Sequence, residues 1–181
     1  MGHVTRDGNR AEPSRAARRA VFVAALLAFA FLVGTTLAPW LQNERPTSAT
    51  LLRLAYAPLC HQLPERSLVI GSAHQAVCAR CSGLYLGGVA GLVIAGVWVV
   101  GRRSPSPIWL AVAVVPTLID AVLPFIGLPG LTNLPRLLVA APSGFAAGLF
   151  LAIGIYDLFA WPARFESHAL TTPAVSHALE E

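Results

Sequence analysis

Lysine is absent from the chain: all 13 basic residues among its 181 are arginine. That bias belongs to the coding of an alanine- and arginine-rich chain and carries no function by itself. Charge of either sign is scarce, at 12% of residues against roughly 25% in an ordinary soluble domain. The formal balance is +4, from 13 basic and 9 acidic residues. This is too small and too scattered for a nucleic-acid surface, so nucleic acid is not expected as a partner. The GxxxxGK[ST], GxGxxG, GxSxG and HExxH patterns are missing, which removes the common nucleotide, hydrolase and metalloprotease signatures. Cysteine is limited to three residues, so any pairing within the chain leaves one thiol over.

Apolar residues fill the space instead, at 55% of the chain. Four stretches, 20–41, 82–100, 107–128 and 137–161, carry at most one formal charge each. About 19 or more such residues cross a hydrocarbon core of roughly 30 Å as a helix. Backbone in lipid must satisfy its own hydrogen bonds, which makes these helices. The expected fold is therefore an all-α integral membrane protein, with four transmembrane helices in one bundle spanning 20–161. Residues 1–19 are expected to be a disordered basic cytoplasmic tail and 162–181 a second disordered cytoplasmic tail. Arg18-Arg19 fits a basic flank that anchors an uncleaved first helix better than a twin-arginine signal, because the apolar run is too long for a signal peptide.

Arginine placement orients the bundle. Arg6, Arg10, Arg15, Arg18 and Arg19 precede the first span, Arg102 and Arg103 lie between spans two and three, and Arg164 follows span four. With both termini cytoplasmic, these eight lie inside and five (Arg45, Arg53, Arg66, Arg80 and Arg136) do not, as the positive-inside rule favours. Trp40, Trp98, Trp109 and Trp161 fall at span ends, where amphipathic rings settle. The expected location is the cell membrane, with the bilayer as first partner.

The loop 42–81 is then extracytoplasmic and holds all three cysteines with His61 and His74. Asp120 lies about 13 residues into span three, roughly 20 Å from its inner end at 1.5 Å per residue. Asn133 and Arg136 occupy the outer connection to span four. Cys60, His61, Cys78, Arg80, Cys81, Asp120, Asn133 and Arg136 should thus gather near one face. A carboxylate in lipid costs about 3 kcal/mol and calls for a partner, for which Arg136 is the natural choice. Asp157, near the inner end of span four, needs no more than snorkelling or capping.

Small residues every fourth position mark two helix faces: Gly83, Gly87, Gly91 and Ala95, then Ala140, Gly144, Gly148 and Ala152. Such stripes pack backbone to backbone. Spans two and four are expected to cross, and a homo-oligomer through the same faces also fits. Pro116 should bend span three.

The cysteine pattern points to a metal. C-x2-C is a common half-site for zinc, which takes four Cys or His ligands. Cys60, Cys78 and Cys81 with His61 as fourth form the expected set, for zinc before iron. An early helix start would bring His74, Cys78 and Cys81, at i, i+4 and i+7, onto one stripe. A thiol–disulfide oxidoreductase is the alternative: C-x2-C at a helix N-terminus beside Arg80 gains thiolate character, with Cys60 as exchange partner and a quinone as electron acceptor. A small transporter or scaffold subunit is the third class. Asp120 and Arg136 are the candidate catalytic residues, and Arg80, Tyr85 and Asn133 the candidate contacts to a small-molecule or lipid substrate.

The motifs Cys60-His61-Gln62, Arg66-Ser67, Cys78-Ala79-Arg80-Cys81-Ser82-Gly83 with Tyr85 and Gly87, Pro116 with Asp120, and Asn133 with Arg136 together resemble one family. The chain is similar to the small multi-pass membrane proteins of bacteria and archaea in domain-of-unknown-function family 2085, from about residue 55 to residue 157. Ala121 departs from the glycine that many relatives carry after the aspartate. The resemblance implies a membrane protein with a common polar cluster, and it supplies no reaction or substrate.

Overall fold

The computed structural model describes residues 15–99 and 106–170, with side chains over 15–97 and 106–159. Arg6, Arg10, His3, His177, the Arg102-Arg103 loop, and residues 1–14 and 171–181 of the expected tails lie outside that description. So do the side chains of Trp98, Trp161, Arg164 and His168.

Among the described residues, four helices are long and apolar enough to cross a membrane: Arg15–Glu44, Ala79–Val97, Ile108–Ile126 and Asn133–Phe159. The first belongs to α1 (Arg15–Glu44) and the last to α5 (Asn133–Leu170). Residues 15–19 and 162–170, expected in disordered tails, are instead helical extensions of these spans. Arginine and alanine are good helix formers, and a helix runs on past the hydrocarbon limit that hydropathy detects. The second span is α3 (Ala79–Ile94) followed by the π-helical turn Ala95–Val99. The third is α4 (Ile108–Val122), with Pro116 inside it, closed by the 3-10 turn Leu123–Ile126. Gly127 then takes a left-handed φ of 77°, the usual end for such a helix.

The expected crossing of the two small-residue stripes is the central contact of the bundle. A Cβ on Gly87 would lie 2.0 Å from the Ala141 carbonyl oxygen, and one on Gly144 would lie 2.0 Å from that of Leu84. Only hydrogen fits there, so α3 and α5 touch along their backbones. The faces expected to offer a homo-oligomer contact are taken up inside one chain. Helix α4 joins α5 by polar links: Ser143 Oγ donates to the Ala113 carbonyl at 2.7 Å, and Thr117 Oγ1 to that of Val139 at 3.1 Å. Hydroxyl-to-carbonyl bonds of this kind hold membrane helices together where no hydrophobic drive exists between them.

Residues 42–81, expected as one long loop, are mostly regular structure. Helix α2 (Pro46–Tyr56) starts with proline, suited to the first helical turn. After a 3-10 turn at Pro64–Arg66 come two antiparallel strands, β1 (Ser67–Ile70) and β2 (Ala73–Cys78). The two-residue turn between them has Gly71 at a φ of 63°, a conformation that glycine adopts without penalty. This cap packs on α1 and α3 around Ala38, Tyr56, Cys60, Ala76 and Val77. Tyr56 donates its hydroxyl to the Phe31 carbonyl at 2.7 Å, and Gly34 leaves room for it. Below the cap, Gln75 donates to Thr35 Oγ1 at 3.0 Å and accepts from Ser82 Oγ at 2.8 Å, so one buried amide ties β2 to α1 and α3.

Candidate functional site

Each cysteine is placed by a different local device. Cys60 lies just past α2, its N–H bonded to the Tyr56 carbonyl at 3.1 Å. Cys78 ends β2 and serves as N-cap of α3, and Cys81 follows on the first turn. C-x2-C therefore spans the N-cap and third positions of a helix, which turn their side chains toward each other. The result is one cluster. The Cys78 and Cys81 sulfurs are 3.5 Å apart, the Cys78 N–H donates to Cys60 Sγ at 3.2 Å, and all three sulfurs lie within 4.8 Å of one another. Tetrahedral zinc with bonds of about 2.3 Å sets its sulfurs about 3.8 Å apart, so the donor set fits that metal. Cys60 is buried and the other two are half-buried.

The histidines stand apart. His61 is exposed, and the set enclosed within 4.8 Å contains the three sulfurs without it. The expected fourth ligand lines the cavity over the thiols but lies outside the group of three sulfurs. His74 is on β2, not on an early turn of α3, and the helical stripe of His74, Cys78 and Cys81 does not form. Its side chain is exposed, while its carbonyl accepts from Arg53 Nη2 at 2.6 Å.

The Cys78 thiol is held down to about 5, from an ordinary 9.0. The Cys81 thiol beside it is the largest cause; the Cys81 and Arg80 amides and the Cys60 thiol add to it against burial. The amides act at the open start of α3, where partial positive charge gathers, although the thiol makes no capping hydrogen bond.

Behind the thiols lies a charged cluster. Asp120, 2% exposed, accepts from Arg136 Nε at 3.2 Å and from Arg80 through Nε at 3.1 Å and also through Nη2. Its other oxygen accepts the Leu131 N–H at 3.0 Å. Arg136 was the partner expected; Arg80 is a second one, delivered by the first turn of α3. Asp120 does not border the thiol cavity. It sits behind the arginines and faces a groove between α4 and α5. The two carboxylate oxygens are engaged, so this residue positions Arg80 and Arg136.

Tyr85 stacks edge-on against Phe31, ring centres 5.0 Å apart, and packs against the thiol cluster from below. Asn133 donates to the Ser67 carbonyl at 3.1 Å, which fastens the start of α5 to β1. Neither lines the cavity over the thiols. That cavity is about 170 Å³, bordered by the three cysteines and by Arg66, Arg80 and Arg136. Arg66 arrives there because the hairpin register sets Ser67 opposite Cys78. The Val-Ile run and the Gly71-Ser72 turn are the sequence signals for that hairpin. Gln62, beside the cluster, holds a φ of 54° and donates to the Arg53 carbonyl at 2.6 Å.

Comparison with known proteins covers this region. Residues 60–150 match the profile of the DUF2085 family, described as predicted membrane protein. An uncharacterised protein of Methanocaldococcus jannaschii is 31% identical over 137 residues, 71% of this chain and 85% of the relative. Another, from Methanothermobacter thermautotrophicus, is 29% identical over 86 residues, 48% of this chain and 78% of that protein. No solved structure matches the chain significantly. The match begins at Cys60 and runs through Cys81, Asp120 and Arg136. The chain belongs to the DUF2085 family of membrane proteins.

Proposed function

We propose that the protein is a metal-binding protein of the cell membrane whose centre lies at the extracytoplasmic face. Cys60, Cys78 and Cys81 would hold one ion, zinc in preference to iron. The observation that carries this reading is the convergence of three sulfurs, one from the loop after α2 and two from the start of α3, within 4.8 Å. A disulfide needs two thiols; three that share one point suit a metal. The cytoplasmic placement of both termini rests on the arginine distribution.

Three protein ligands leave a fourth position for water or a substrate atom, the arrangement of catalytic rather than structural zinc. Bound there, zinc would supply Lewis-acid polarisation of that atom. The protein's own part is to hold the thiols in place, keep Arg80 and Arg136 aimed beside them through Asp120, and limit water with the α2–hairpin cap. X-ray absorption at the zinc edge tests the reading: three sulfur neighbours near 2.3 Å and one lighter neighbour are expected. A shell of four sulfurs would contradict an open position.

The low value at Cys78 favours a second reading, thiol–disulfide exchange. There Cys78 and Cys81 would lose two electrons and two protons to a quinone, which becomes the quinol, as the disulfide forms. Cys60 Sγ, against the Cys78 amide, would be the exchange partner.

A further inference from the structure

The thiol cavity is also lined by three guanidiniums, of Arg66, Arg80 and Arg136. Asp120 takes Nε and Nη2 of Arg80 and Nε of Arg136. Each guanidinium has five N–H donors, so both arginines keep several free. Arg66 is half-buried, and its side chain makes no hydrogen bond or ion pair among the described residues. Three positive groups against the Asp120 carboxylate and the Cys78 thiolate leave one positive charge at a half-buried mouth beside a bilayer. Uncompensated charge in such a place is costly, and an anion relieves it.

We propose that this cavity seats a phosphate-type tetrahedral oxyanion, gripped by Arg66, Arg80 and Arg136 beside the thiols. Guanidiniums match phosphate oxygens with paired N–H bonds. Size agrees: about 170 Å³ is well below the roughly 300–1,000 Å³ of sites for whole small molecules, and it suits an ion or a head group. The oxyanion is either free or the head of a lipid. The proposal shares its cavity with the metal reading but does not depend on it. Were a metal held by Cys60, Cys78 and Cys81, it would offer a position for an anion oxygen; without one, the arginines hold the anion alone.

The test is equilibrium dialysis of the full chain, purified in non-ionic detergent, against radiolabelled inorganic phosphate, with and without prior chelation. A second arm uses short-chain phosphatidic acid as competitor, and metal is counted on each sample. Saturable phosphate binding, weakened at least tenfold in Arg66→Gln and partly restored in Arg66→Lys, is expected before and after chelation. Binding of inorganic phosphate alone identifies the free ion. Displacement by phosphatidic acid at a tenfold lower concentration identifies a lipid head group. Either supports the proposal. No saturable binding in either arm overturns it, and so does equal binding by Arg66→Gln with an unchanged thermal midpoint. Phosphate binding by protein that holds no metal even before chelation would count against the metal reading alone.

Discussion

Cys60 Sγ accepts the backbone N–H of Cys78 at 3.2 Å, across 18 residues of sequence. That bond joins the end of α2 to the start of α3 and brings the third sulfur to the C-x2-C pair. It also orders the roles: Cys78 and Cys81 are held by one helix turn, while Cys60 depends on the fold of the cap.

His61 separates the expected ligand set from the one assembled. His61→Ala is predicted to keep its metal at more than about half the wild-type content. Each of Cys60→Ser, Cys78→Ser and Cys81→Ser should keep under a tenth. Mass spectrometry of metals on matched, folded samples checks this. Equal loss in His61→Ala would restore the histidine as a ligand.

The Cys78 thiol sets a pH dependence for metal-free protein. Its folded value, about 5, lies below the ordinary 9.0. Iodoacetamide should therefore alkylate Cys78 at a constant rate above about pH 6, and tenfold more slowly per unit well below pH 5. The same depression favours the folded state: that contribution shrinks as pH falls from about 9 and is gone below about 5, while the Cys81 thiol, pushed up by its bond to Cys78 and by burial, works against it above about pH 9. Mass-resolved alkylation from pH 4 to 9 reads the rate. A midpoint near 9 in the folded protein would refute it.

Asp120 joins two arginines and is nearly inaccessible. Asp120→Asn strands the Arg136 charge and should cost about 3 kcal/mol, near the low end for a broken buried pair because Arg80 reaches water. Arg80→Ala should cost less than Arg136→Ala, since 23% of the Arg80 side chain is exposed against 7% for Arg136. Thermal unfolding in detergent gives the ranking. If the double variant Asp120→Leu/Arg136→Leu recovers most of the loss, the penalty lies in the unpaired charge.

The α3–α5 crossing predicts a sharp contrast between glycines. Gly87→Ala drives a methyl to 2.0 Å from the Ala141 oxygen and should destabilise by about 3 kcal/mol. Gly154→Ala, with nothing within 4 Å, should be neutral or slightly stabilising. Unfolding midpoints of the two variants decide this, and equal values would contradict the backbone contact.

Hydropathy made the four spans legible, because lipid leaves a backbone no other option. The four-residue glycine spacing named which two helices cross. The gathering of Cys60, Cys78, Cys81, Arg80, Asp120 and Arg136 at one face followed from span counting. The cap was not legible in the same way. Its strands are four and six residues long, and their pairing is settled by contact with α1 and α3 rather than by periodicity. The positions of Arg66 and His74 are not legible for the same reason: a residue's neighbours across a hairpin depend on register, which the sequence of 42–81 does not state. Arg80 was expected near the site, but its bond to Asp120 needed the azimuth of α3, which the small-residue stripe fixes only once its partner face is known.

The most direct measurement is metal per chain on protein purified without chelator or affinity-tag histidines, together with a free-thiol count on the same sample. About one zinc or iron per chain, lost on Cys60→Ser as well as on Cys78→Ser, is the predicted result. No metal, with one titratable thiol where the sequence has three, would contradict it and leave a disulfide between two of the cysteines in its place.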